Sequence, residues 1–238
     1  MTMVRLMIAA AAVAATGAAA LIASTAAAAA VLVVRSSGPS AGAYPPGKAL
    51  PETHMLKLKA SDMIVLLDSR GTRTLQGPGS FSVSASAAPA TGGAIRSAGT
   101  SARRVRLGVV RGTGMRSVWQ ADLGRSGAVC GANPSELTLY RPDAVGPADV
   151  TLIDVASGTT AKVHFDPEQS DAAWPQAVPV KSGARIAVTG LGPPQSLTMR
   201  VLSPVPSGLE GMAQSLIRAD CQAQLDVLIA TFSARPGS

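Results

Sequence analysis

The sequence predicts a mainly β protein: a small β-domain, then a β-sandwich, then a C-terminal α-helix. Three observations lead there. Short apolar runs with period-two alternation recur between Gly, Pro, Ser and Asp turn residues across residues 31–84 and again across 117–203. Beyond Leu209 the spacing changes to three and four, the helical period. Aromatics are only 3% of the 238 residues while apolar residues are 47%, so the cores must be built from Val, Leu, Ile, Met and Ala.

The chain opens with a basic residue, Arg5, and then runs "LMIAAAAVAATGAAALIASTAAAAAVLVV" without a charge until Arg35. A basic start, an apolar stretch and repeated Ala-x-Ala sites describe a secretory signal peptide over residues 1–30, with cleavage expected near residues 26–30. An uncleaved single-span anchor is the alternative: the stretch is long enough, but alanine is a weak spanning residue. The expected location is periplasmic or otherwise extracytoplasmic, with membrane contact only if this segment stays uncleaved.

Residues 31–84 form the first β-domain. "VLVV", "MLKLK", "MIVLLD", "TRTL" and "FSVS" read as closely spaced strands around a Pro- and Gly-rich loop at residues 39–52. The segment "LLDSRGTRTLQGPGSF" carries enough glycine to suggest a phosphate cradle. It lacks the Lys-Ser/Thr pair of a P-loop, and Gly71, Gly77 and Gly79 miss the dinucleotide-binding offsets. It reads instead as strand–turn–strand, with Arg70 and Arg73 facing solvent.

Residues 85–116 read as a flexible basic linker. Small residues come first, followed by five arginines that include Arg103, Arg104 and Arg106. No aromatics are interleaved for base stacking, so nucleic acid is excluded as a partner; hydrated linker charges are the ordinary reading. If a protein partner is bound through charge, Arg70, Arg73, Arg103, Arg104 and Arg106 are the candidate contacts.

Residues 117–203 hold "SVWQADLG", "ELTLY", "DVTLID", "AKVHF", "ARIAVTG" and "LTMRVL", most of them alternating cleanly. Six strands in so short a stretch suit an immunoglobulin-like β-sandwich, with Trp119 and Trp174 as its large core residues. Residues 204–238 carry the helix and tail. Ser207 and Glu210 have capping-box spacing, and the simplest reading is one continuous helix, with a break near Asp220 as the alternative. The two cysteines, Cys130 and Cys221, are expected to form one disulfide that staples the helix to the sandwich. The loop closed is long, so the bond is worth about 4–5 kcal/mol on the chain-entropy model.

Catalytic and metal readings are weak. The chain has two histidines, His54 and His164, and "GPSAG" places Ser40 in a nucleophile-elbow pattern, but with Pro39 before it and a Pro-rich loop after it. Neither short-spaced Cys/His ligands nor a fixed calcium loop is present. No catalytic residue, metal or cofactor is therefore expected.

Within residues 31–84, Gly47 and Leu50 form a G-x-x-L element, Asp62 opens a D-x-apolar strand, and Asp68 and Gly71 bound a D-x-x-G turn. This order resembles the FecR-like extracytoplasmic β-domain. The resemblance implies a non-catalytic recognition module in envelope signalling or assembly, with a periplasmic or inner-membrane protein partner. Only residues 1–5 precede the apolar stretch, which argues against direct action on a cytosolic sigma factor. A structural or carbohydrate-binding surface protein is the alternative, and a serine hydrolase built on Ser40 a distant third.

Overall fold

The computed structural model describes residues 30–84 and 114–233. The expected signal peptide lies outside the described residues except for Ala30, and so does the expected basic linker up to residue 113. The chain is mainly β, with strands in four sheets and two short helices near the C-terminus.

In the first unit, β1 (Ala30–Ser37), β2 (Ala49–Pro51), β4 (Met63–Asp68) and β5 (Gly71–Gln76) form an antiparallel sheet ordered β2-β1-β4-β5. β3 (Met55–Leu58) and β6 (Gly79–Ser82) pair separately as a two-stranded ribbon. β1 and β4 read as unbroken apolar runs because both faces of their sheet are covered. Val31, Val33, Ile64 and Leu66 pack with Leu56 and Leu58 of the ribbon. Leu32, Val34, Val65 and Leu67 pack on the opposite side, against the helices.

Those helices are α1 (Gly208–Arg218) and α2 (Gln222–Thr231). The single helix expected here is thus two, broken at Ala219–Cys221, where Asp220 takes a left-handed φ of 58°. Aspartate tolerates that conformation better than most residues, so the apolar stripe continues across the break without Gly or Pro to mark it. The capping box does not form: the Ser207 side chain makes no cap hydrogen bond, and Gly208 turns the chain at φ 70°.

The second unit is a sandwich. One sheet has the order β11-β10-β13-β14-β8, from β8 (Gly127–Gly131), β10 (Ala148–Asp154), β11 (Thr160–Phe165), β13 (Arg185–Thr189) and β14 (Gln195–Val201). The other is β12-β9-β7, from β7 (Gln120–Asp122), β9 (Thr138–Tyr140) and β12 (Asp171–Ala173). Two pairs, β14 with β8 and β7 with β9, are parallel in otherwise antiparallel sheets. Alternate residues of both sheets meet in one core: Val150, Leu152, Ile186, Val188, Leu197 and Met199 from the larger, Ala121 and Leu139 from the smaller. Trp174 is buried as expected and donates its indole N–H to the Val178 carbonyl at 2.9 Å. Trp119 is only half-buried, a correction to its expected core role, because the strand around it shortens to Gln120–Asp122.

The helix pair joins the two units. Its apolar cluster includes Leu32 and Leu67 of the first sheet and Cys130 of β8, with Ala128 and Leu202 packed alongside.

Candidate functional site

The hinge of the α1–α2 pair is fastened to the sandwich by the expected disulfide. Cys130 and Cys221 are bonded, with Cα atoms 5.9 Å apart and neither residue exposed. Gln224, in the first turn of α2 and 1% exposed, accepts from the Cys130 N–H at 2.6 Å and donates to the Cys130 carbonyl and to the Val118 carbonyl. On the other side, Thr72 of β5 donates its hydroxyl to the Ile229 carbonyl and its N–H to the Phe232 carbonyl. Arg35 reaches Asp226 on α2, helped by a bulge between Val33 and Arg35 that re-aims the side chain.

The β4–β5 hairpin brings two of the candidate arginines to one carboxylate. Asp68 accepts from the Arg70 N–H at 2.8 Å and from its guanidinium at 3.0 Å, while Arg73 lies 3.9 Å away. Burial works to raise the Asp68 pKa, but the Arg70 bonds and the two arginine charges hold it below the ordinary carboxylate value. Arg70 is exposed as expected. Arg73 corrects the expectation: its side chain is 19% exposed, lying opposite Leu66 on the face where the β3–β6 ribbon folds over the sheet. Burial accordingly lowers the pKa of its guanidinium. Arg103, Arg104 and Arg106 lie outside the described residues.

Ser40 sits in the turn after β1, where Asp62 holds it. The Asp62 carboxylate accepts from the Ser40 N–H at 2.8 Å and from the Lys59 N–H. Burial pushes this carboxyl up, yet the bonds from the Ser40 side chain and these two amides outweigh that and lower its pKa. Gly38 is required beneath it, since a Cβ there would come within 2.6 Å of the Asp62 carboxylate. The Ser40–Asp62 pair is a turn clamp. His54 packs edge-on to Tyr44, with 6.1 Å between ring centroids.

His164 lies on β11 with both ring nitrogens facing acids, Asp149 at 2.8 Å and Asp166 at 3.6 Å. The Asp149 hydrogen bond, then the charges of Asp149 and Asp166, raise its pKa above the ordinary histidine value. β11 is the open edge of its sheet. The Asp154 N–H donates to the Thr159 carbonyl, so by alternation the N–H and C=O groups of Thr160, Lys162 and His164 point away from β10. On the outer face of this sheet, Lys162, Arg185 and Arg200 are exposed on three different strands. Sequence reasoning did not single them out, although strand parity against buried Ile186 and Met199 marks the two arginines as outward-facing.

Among the described residues no group of three or more His, Cys, Asp or Glu is placed to hold a metal, and no helix is long and apolar enough to cross a membrane. The chain matches no family model, no curated protein and no solved structure. Fold and geometry define a mainly β protein whose C-terminal helices and disulfide weld two β-units together.

Proposed function

We propose that the protein is a non-catalytic recognition module of the periplasm, serving envelope signalling or assembly through a periplasmic or inner-membrane protein partner. The observation that carries this reading is the rigid coupling of the two β-units through one helix pair, fastened by Cys130–Cys221, Gln224, Thr72 and Arg35. Such a body holds exposed edges and turns in fixed relation, which recognition requires and which lowers the ordering cost of binding. The buried disulfide accords with an oxidising compartment. The engagement of Ser40 by Asp62 further supports a non-catalytic role. The FecR-like resemblance of residues 31–84 belongs to the same proposal.

Crosslinking in intact envelopes, with the chain carrying a photoreactive residue at Arg70, tests it. A discrete adduct with one envelope protein, lost when the label is moved to the buried Leu139, is the expected result. Absence of any adduct from Arg70 and from further labels at Thr160 and Thr74 would overturn the reading.

A further inference from the structure

Across β11, β10, β13 and β14 the outer face of the five-stranded sheet carries almost no large apolar side chains. At β8 the same face is closed by the helix pair, against which Ala128 and Cys130 pack. The interior counterparts Val150, Leu152, Ile186, Val188, Leu197 and Met199 fill the core, so the alternate residues of the same strands face outward. Three of these are exposed cations: Lys162 on β11, Arg185 on β13 and Arg200 on β14. Among the described residues none of the three is paired with a carboxylate, and the nearby Asp149 is taken by His164.

The sheet register places them on a diagonal. Arg185 lies opposite Thr198, and Arg200 follows Thr198 by two residues, so the arginines are diagonal neighbours about 7–8 Å apart at Cα. Lys162 lies opposite Thr151, itself opposite Thr189, which puts it three strands from Arg200 and at the far end of the face. The line from Lys162 to Arg200 spans about 25 Å on ordinary strand spacings. Between its ends Thr151, Thr189 and Thr198 are half-buried and Ser196 is exposed. Ile153 is the one large apolar side chain among them, also half-buried.

That chemistry discriminates between partners. A protein interface centres on desolvated aromatic or aliphatic anchors, and a bilayer surface is gripped by an apolar wedge; this face offers neither. Cations spaced along a line, with hydroxyls between them, match a polymer that carries both negative charge and hydroxyl groups. We propose that the outer face formed by β11, β10, β13 and β14 docks a linear anionic polysaccharide, with its acidic groups on Lys162, Arg185 and Arg200 and its hydroxyls on the intervening Thr and Ser side chains. This goes beyond the protein-recognition reading and uses a different surface from the β4–β5 hairpin.

The test is a calorimetric titration of the purified full chain with polygalacturonate at physiological ionic strength, with neutral dextran as the uncharged control. Binding to polygalacturonate and none to dextran is expected. The triple variant Lys162→Gln, Arg185→Gln, Arg200→Gln weakens binding about tenfold or more, the scale of three exposed ion pairs. The control triple Lys48→Gln, Lys57→Gln, Lys59→Gln removes the same charge from the first unit and changes binding by less than about twofold, since exposed charges beyond a Debye length are screened. Equal losses in the two triples would reduce the effect to net charge and overturn the proposal. So would binding to phosphatidylglycerol vesicles with none to polygalacturonate, or binding to neither. Thermal melting accompanies each variant, and the single variants Arg185→Gln and Arg200→Gln decide the matter if the triple is unstable. Capture of a protein partner at Arg70 does not enter this readout, so the two proposals fail separately.

Discussion

Gln224 holds the backbone of Cys130 at both ends, its carbonyl oxygen taking the N–H at 2.6 Å and its amide nitrogen bonding the C=O at 2.5 Å. The side chain closes the free edge of β8 where a neighbouring strand would otherwise pair, so a helix completes a sheet. Replacing it removes three hydrogen bonds from a buried site. Gln224→Ala is expected to destabilise the fold by about 3 kcal/mol, the scale of buried amides left without partners. Urea denaturation checks this; a loss below about 1 kcal/mol would show that the β8 edge finds other partners.

Cys130 and Cys221 are 91 residues apart in sequence, and both are fully buried. The double variant Cys130→Ala, Cys221→Ala is expected to lose about 4–5 kcal/mol, the chain-entropy value for a loop of this length. Because the sulfurs are enclosed, reductant should act on the native chain only after local opening. Thiol labelling of the wild type by a maleimide, in the presence of reductant, should therefore rise with urea rather than with reductant concentration.

Arg141 is 2% exposed and has no carboxylate beside it among its described contacts. It donates to the carbonyls of Gln169 at 2.7 Å, Asp166 at 2.8 Å and Ala144 at 3.3 Å, and its guanidinium stacks 5.2 Å from the Phe165 ring. One planar fork thus ties two loops to the end of the sandwich. Arg141→Lys keeps the charge but not the fork, and is expected to cost about 2–3 kcal/mol. Stability equal to wild type in a thermal melt would contradict this role.

His164 gives the fold a pH dependence whose sign follows from its raised pKa. The protonated ring gains from Asp149 and Asp166 in the folded state. That stabilisation is fully present below the ordinary histidine value and disappears as pH rises through the raised folded value. His164→Gln removes this component. Proton NMR of the imidazole should titrate above the ordinary value, and melting temperatures between pH 5 and pH 9 should fall less steeply in the variant. A wild-type titration at or below the ordinary value would refute the Asp149 pairing.

How much of this was legible depended on how local each feature is. The apolar runs of β1 and β4 announce strands buried on both faces, and the alternation in β10, β13 and β14 announces strands buried on one. The pairing of Cys130 with Cys221 followed from their number and context. β8 was missed because "GAVCG" has no large residue to show its alternation; its edge is defined by Gln224 and by a parallel neighbour, both remote in sequence. The alternation of its own strand points Arg73 to solvent. The ribbon that covers it pairs β3, which precedes the hairpin, with β6, which follows β5 across the Gly77 turn; a Cβ at Gly77 would lie 2.0 Å from the Lys59 carbonyl oxygen. The cations of the outer face are scattered over three strands, and only the sheet order assembles them.

The position of the helix pair over the first sheet has a consequence in time. Thr72 and Ile229 are hydrogen-bonded across 157 residues of chain, and the face of β1 and β4 that carries Leu32, Val34, Val65 and Leu67 is covered by residues from the second half of the chain, chiefly those of α1 and α2. During synthesis, the strands that emerge early must wait for helices that emerge late. Contacts of such long separation are slow to form, and an uncovered apolar sheet is prone to association meanwhile. A ribosome-bound chain halted before α1 would therefore carry a sticky, half-clothed sheet, and a chaperone for nascent chains would find its substrate there.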